Sequence, residues 1–159
     1  MIAFKEWEVV CEALEAGRQK LILRKGGIHE GREGFSFAHE EFVLFPTRFH
    51  AQGDFVTVPD VNAKPEWKIG EEVIITSKVK VTKAVTLTDW EEVAALADQH
   101  IWTEQTIRDR FFWEGPAKQG MASGSIHVAY VQVEKLPEPI SFEYAKKYGG
   151  CRSWVELGA

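Results

Sequence analysis

The stretch KVKVTKAVTL, Lys78–Leu87, sets Val79 and Val81 against Lys78, Lys80 and Thr82 in strict alternation over its first half. A two-residue period sends successive side chains to opposite faces of an extended chain, so this segment reads as a strand with one apolar face. Just before it, IGEEVIIT (Ile69–Thr76) is a turn feeding a strand. Beyond it, Thr88-Asp89 offers a helix cap ahead of DWEEVAALADQH, where Trp90, Val93, Ala94 and Ala97 recur at helical spacing. Thr103 opens a second helix running to about Trp113, and the small residues of Gly115–Ser125 read as a loop. IHVAYVQVEKL, Ile126–Leu136, then carries the strongest strand pattern of the chain.

Toward the N-terminus, Trp7, Val10, Cys11 and Leu14 predict a helix over Phe4–Ala16, stopped by Gly17. Lys20–Arg24 and Glu41–Phe45 read as strands, the second ended by Pro46, and Gln52–Pro59 as a loop or edge strand. Toward the C-terminus, PEP at Pro137–Pro139 is expected to break the strand before it. A short helix over Ser141–Lys147 and a strand in CRSWVEL (Cys151–Leu157) should follow. The helices fall between β segments without regular βαβ alternation. That order predicts an α+β fold: a small mixed β-barrel of about five to seven strands with inserted and flanking helices, forming one domain over residues 1–159. Trp7, Val10 and Leu14 should pack the first helix against it.

Composition narrows the function. Net charge is −5, which excludes a sequence-blind nucleic-acid coat and leaves any such contact to a local patch. Arg18, Lys20, Arg24, Lys25, Arg32 and Arg48 supply a candidate, interrupted by Glu30, Glu33, Glu40 and Glu41. Six Trp and ten Phe fit either an aromatic core or a stacking platform. Cys11 and Cys151 make no disulfide framework. The histidines form no HxH or HxxxH pair and CxxC is absent, so neither a metal nor a cofactor is expected. Without a long apolar run or a leader-like start, the expectation is a reduced, cytoplasmic protein with no membrane partner.

FKEWEVVCEAL, LRKGGI, FVLFPTRFHAQ and GCRSWVEL, taken in order, resemble a prokaryotic family known as domain of unknown function 1802. That resemblance implies neighbourhood with restriction-type nucleases, and with it a nuclease partner. The opening helix with Gly17 and the strand ending at Arg24 resemble ASCH-type domains of the PUA-like barrel superfamily. So do WKIGEEVIIT, VKVTKAVTL and HVAYVQVEKL. This second resemblance implies a barrel whose cleft binds RNA or modified bases, or hydrolyses acylated cytidine.

Arg24 and Lys25 beside Gly26-Gly27 form a cationic turn able to receive an anion, although no GKS or GKT of a phosphate-binding loop is present. The alternative is an Arg24 lying along the sheet edge and a solvated Lys25. Thr47, His50 and Gln52 in FPTRFHAQ offer polar groups for a base edge; Arg152 is a second anion binder, and Phe45 or Trp154 a stacking surface. The leading expectation is binding of a nucleotide, or of a modified base in nucleic acid, without turnover. A second reading is a small amidohydrolase using Lys25, Thr47 or Cys151, and a third is a protein-interaction adaptor.

Overall fold

The computed structural model describes residues 1–25, 37–112 and 124–158. Among them, β1 (Ile2–Trp7) leads directly into α1 (Glu8–Ala16), followed by β2 (Leu21–Lys25) and β3 (Glu41–Thr47). Next come β4 (Glu72–Leu87), α2 (Trp90–Ala94), α3 (Glu104–Phe111), β5 (Ile126–Glu143) and β6 (Trp154–Glu156). The described strands form a six-stranded mixed sheet in the order β2-β5-β4-β3-β1-β6. Only β1 and β3 run parallel; every other neighbouring pair is antiparallel. Among the described residues no helix is long and apolar enough to cross a membrane.

The first turn of the expected helix is instead a strand. Ala3 and Phe4 are fully buried on opposite faces of β1, which lies between β3 and β6 and has both faces covered. A strand buried on both sides reads as a continuous run rather than an alternation. Phe4, three residues ahead of Trp7, therefore mimics one more helical step. From Glu8 onward the expected stripe holds, with Val10 and Leu14 buried under α1. Gly17 ends α1 at φ +80°, where a side chain would be strained, and the N–H groups of Gly17 and Arg18 close on Leu14 O and Ala13 O.

Prolines expected to stop strands lie within them. Pro46 belongs to β3, opposite Glu6 of β1, while the β3–β4 ladder runs only from Glu41 to Val43. The missing N–H therefore faces no partner strand, and Pro46 O accepts the Trp67 indole N–H at 2.7 Å. Pro137 and Pro139 lie in a bulge of β5, between the pairs Ser77–Lys135 and Ile75–Ile140. That bulge lets the antiparallel β4–β5 pairing continue to Glu72–Glu143, so no helix forms at Ser141; only a 3₁₀ turn at Lys146–Tyr148 follows.

A second bulge at Thr82 moves the core-facing set of β5 from Ile126 and Val128 to Val131 and Val133. Ile69–Thr76 and Lys78–Leu87, expected as two strands, are thus one long β4 from Glu72. The helix after Asp89 is short: the Asp89 side chain accepts from Glu91 N at 3.0 Å, but regular α geometry ends by Ala94. Leu96 is buried in place of Ala97, which is exposed. Thr103 caps α3 as expected, accepting from Thr106 N. Gln52–Phe55 is a 3₁₀ turn, and Val56 makes an isolated bridge to Trp102. Most of the expected loop Gly115–Ser125 lies outside the described residues.

Among the described residues, two apolar clusters form the core. The larger joins Phe4, Phe42 and Leu44 to the helices and to β2 and β5; the smaller joins Ala3, Val43 and Phe45 to Val73, Ile75 and Tyr148. Fully burying a side chain such as Phe4 or Phe45 contributes roughly 1.5–3 kcal/mol.

Candidate functional site

Because β1 and β3 are parallel, their C-terminal ends lie together, with Trp7 opposite Thr47. The end of β2 is held to the same place by a side chain rather than by a backbone ladder. Arg24 donates through Nη2 to Lys5 O at 2.6 Å and through Nη1 to Glu6 Oε2 at 3.0 Å. Its guanidinium also lies 4.3 Å from the centre of the Phe4 ring. The chain entering β6 arrives there too, since Lys5 N donates to Ser153 O at 2.7 Å. Arg24 thereby clasps β2 to β1 where the sheet order leaves them unpaired.

These four segments and α3 surround an open cleft of about 420 Å³, the scale of a small-molecule site. Its lining carries six cationic side chains (Lys5, Arg24, Lys25, Arg48, Arg110 and Arg152) against two carboxylates, Glu6 and Glu66. In a chain of net charge −5 this is a concentrated positive field, and low-dielectric walls strengthen it. Glu6 offsets part of it: its side chain is 1% exposed and is bonded to Arg24 and, through Oε1, to Trp7 N. Arg24 therefore serves the wall of the cleft, and Lys25 and Arg152 carry the more exposed charge.

Lys5 is buried and donates through Nζ to Tyr148 O at 3.0 Å and Gly150 O at 2.8 Å. Burial, and then the charge of Arg152, lowers its pKa, with Cys151 acting in the opposite sense. The two carbonyls belong to the turn that presents Cys151 and Arg152, where Gly150 stands at φ +90°, a conformation other residues rarely adopt. Arg110 reaches in from α3 with its guanidinium 3.9 Å from the centre of the Trp102 ring. Burial lowers its pKa to about 10, Glu6 opposing and Arg24 adding to the shift, so it stays cationic at neutral pH. Arg48 is paired with Glu8 and lies 3.6 Å from the centre of the Trp67 ring.

One side of the cleft is aromatic. Trp7 and Phe49 line it, edge to face with ring centres 4.6 Å apart, backed by Phe55 and Trp102. The arrangement offers fixed positive charge, an aromatic surface and the Thr47 hydroxyl within one concavity.

Of the residues expected from sequence, Arg24, Lys25, Thr47, Cys151 and Arg152 line this cleft. Phe45 does not: it lies on the same face of β3 as Thr47 but two residues deeper, fully buried among Phe142, Tyr144 and Tyr148. Trp154 packs on Phe4 and Phe42 at the far side of β1. His50 is exposed on the turn after β3 and is not part of the cleft lining. Gln52 is buried as a brace, donating to Thr47 O at 2.8 Å and accepting from Val9 N. Thr47 reaches the cleft because it ends β3 at its mouth, whereas Phe45 lies further down the strand beneath the 3₁₀ turn at Tyr148. The turn after β3 carries His50 and Gln52 away from Thr47. Gly26 and Gly27 lie outside the described residues. Sequence reading missed Lys5, Glu6, Trp7, Phe49, Glu66 and Arg110. A Lys-Glu pair inside the apolar run IAFKEW is the one local signal that could have exposed Lys5 and Glu6, because buried charges demand partners.

A six-stranded mixed sheet with interspersed helices, and a cationic cleft where the ends of β1 and β3 meet, defines the class: an α+β fold. The fold is similar to that of a tyrosine-to-phenylalanine variant of the ASCH protein from Zymomonas mobilis, with TM-score 0.53 and 10% identity over 99% of this chain and 89% of that one. A serine-to-alanine variant of the same protein aligns with TM-score 0.50 and 10% identity over 82% of this chain. The chain spans 66% of the length of that second structure. The family itself follows from sequence: residues 3–159 match the model of the domain of unknown function DUF1802, and the chain belongs to that family. No curated protein matches it.

Proposed function

We propose that the cleft binds one nucleotide unit, free or within nucleic acid, without turning it over. Phosphate is held by Lys25, Arg152 and Lys5, and the base lies against Phe49 and Trp7 with the Thr47 hydroxyl at its edge. One observation carries this reading: six cationic side chains converge on a single cleft beside an aromatic wall, in an acidic protein. A cleft of about 420 Å³ has room for a single unstacked nucleotide and none for a duplex. Within a restriction-type system, such a module would supply recognition to a nuclease partner.

The test is titration of labelled single-stranded oligonucleotides, modified and unmodified, at two salt concentrations. Affinity should fall with salt as counterions compete for the contacted phosphates. Lys25→Ala and Arg152→Ala should each weaken binding about equally across sequences, by roughly one phosphate contact. Phe49→Ala should cost about 1–3 kcal/mol of stacking, and exchange of Thr47 should change base preference. Absence of binding at low salt, or binding indifferent to Lys25 and Arg152 together, would overturn the proposal. Incubation with acylated cytidine completes the test. Product that depends on Lys25, Thr47 or Cys151, all on the cleft wall, would make the protein a hydrolase.

A further inference from the structure

We infer that Lys5 is a reactive amine of the cleft, placed to form a reversible imine with an aldehyde that carries phosphate, such as the ring-opened sugar of an abasic site in nucleic acid. The inference rests on the nucleotide-binding reading only for what carries the aldehyde. Its support is geometric. Lys5 lines the cleft although it is 9% exposed, and its Nζ is held by two backbone carbonyls, Tyr148 O and Gly150 O.

A neutral amine has two N–H bonds and one lone pair. With both N–H groups accepted by those carbonyls, the lone pair is left the remaining tetrahedral direction. A surface lysine, by contrast, is a solvated ammonium on a freely rotating stem. Burial and the neighbouring Arg152 charge both favour the neutral form here. Arg152 and Lys25 on the same wall offer an anion the positive charge that would bring a phosphate-bearing aldehyde to the amine.

The step balances without a further reactant. The Lys5 ammonium releases a proton to solvent, and its lone pair attacks the aldehyde carbon. The carbonyl π pair moves to oxygen, which takes up protons and leaves as water. The resulting iminium keeps one N–H, so one of the two carbonyl hydrogen bonds is retained and the other is released. Water reverses the step, and no electrons are exchanged with the protein.

The experiment uses the full chain with sodium cyanoborohydride, which reduces an iminium to a stable secondary amine. One arm contains a single-stranded oligonucleotide with one abasic site, the other pyridoxal 5′-phosphate, and peptide mass spectrometry locates the adduct in each. The expected result is an adduct on Lys5, lost in Lys5→Arg and retained in Lys80→Arg, a change at an exposed lysine of β4 outside the cleft. Formation in the first arm alone identifies nucleic acid as the carrier; formation in the second alone identifies a small phosphorylated aldehyde. Circular dichroism establishes that Lys5→Arg is folded. Should it not fold, mapping on the wild type decides by itself. Adducts confined to Lys25, to the Met1 amine or spread over surface lysines would overturn the inference, as would none in either arm. Binding of an intact oligonucleotide without any adduct would remove the reactive amine and leave nucleotide binding standing.

Discussion

Replacing Arg24 by methionine tests the clasp that holds the mouth of the barrel together. Methionine keeps much of the length and apolar stem while removing the guanidinium, and with it the hydrogen bonds to Glu6 Oε2, Lys5 O and Leu23 O. The Glu6 side chain is 1% exposed and that of Arg24 19%, so the pair belongs to the buried class. Removing one partner of a buried pair costs about 3–5 kcal/mol, against about 0–1 for an exposed one. In a protein of this size each kcal/mol lowers Tm by about 2–4 °C, so the variant should melt roughly 6–20 °C earlier. Neutralising the abandoned carboxylate should recover part of that. The double variant Arg24→Met, Glu6→Gln should lose less stability than the two single losses together, with a coupling energy of about 0.5–3 kcal/mol. Urea denaturation followed by tryptophan fluorescence and by circular dichroism measures all three variants. A loss below about 1 kcal/mol for Arg24→Met, or strict additivity, would refute the clasp.

The cysteines should separate kinetically under a thiol reagent. Cys151 is exposed on the cleft wall and should label at once, more slowly with an oligonucleotide bound, whereas Cys11, half-buried and with its pKa pushed up by burial, should label much more slowly. Equal rates in the native protein would contradict this placement. His100 should stay neutral to unusually low pH, because burial and then Arg110 lower its pKa to about 4 while its Nδ1 accepts from Trp102 N. The unfolded chain then binds more protons between about pH 6.5 and 4, so this residue's contribution to stability falls as pH drops through that window; an NMR titration midpoint near the ordinary histidine value would count against it. At Glu8, burial alone would raise the carboxyl, but hydrogen bonds and charge from Arg48 and Lys64 outweigh it and hold the pKa below 4.5. The stability this provides is present above the unfolded pKa and is lost as pH falls through the lowered one. Glu8→Gln should therefore flatten the acid limb of a stability–pH curve, and an unchanged limb would rule the pairing out as its source.

What the sequence determined by itself was mostly local. Val79 and Val81 marked β4, Val10 and Leu14 marked the buried stripe of α1, and Asp89 and Thr103 marked helix starts. Such signals depend on neighbours within about four residues, which are visible along the chain. The α+β class and the barrel could be read from the order of those elements together with the family resemblance. Tertiary structure decided the rest. It made Phe4 a strand residue by covering both faces of β1. It kept Pro46, Pro137 and Pro139 in strands by giving them an unpaired edge or a bulge. The parallel pairing of β1 with β3 brought Lys5 and Thr47 to one mouth, and the turn at Gly150 brought Cys151 and Arg152 to meet them. Phe45, on the central strand β3, and Trp154, on the edge strand β6, went instead to apolar clusters. Each ring meets other aromatic and aliphatic side chains there and gains more from that burial than from lining a cleft. The residue types able to bind an anion were legible from one end of the chain to the other. Which of them face the same concavity was set by strand register and packing between residues more than a hundred positions apart, and local periodicity does not encode that.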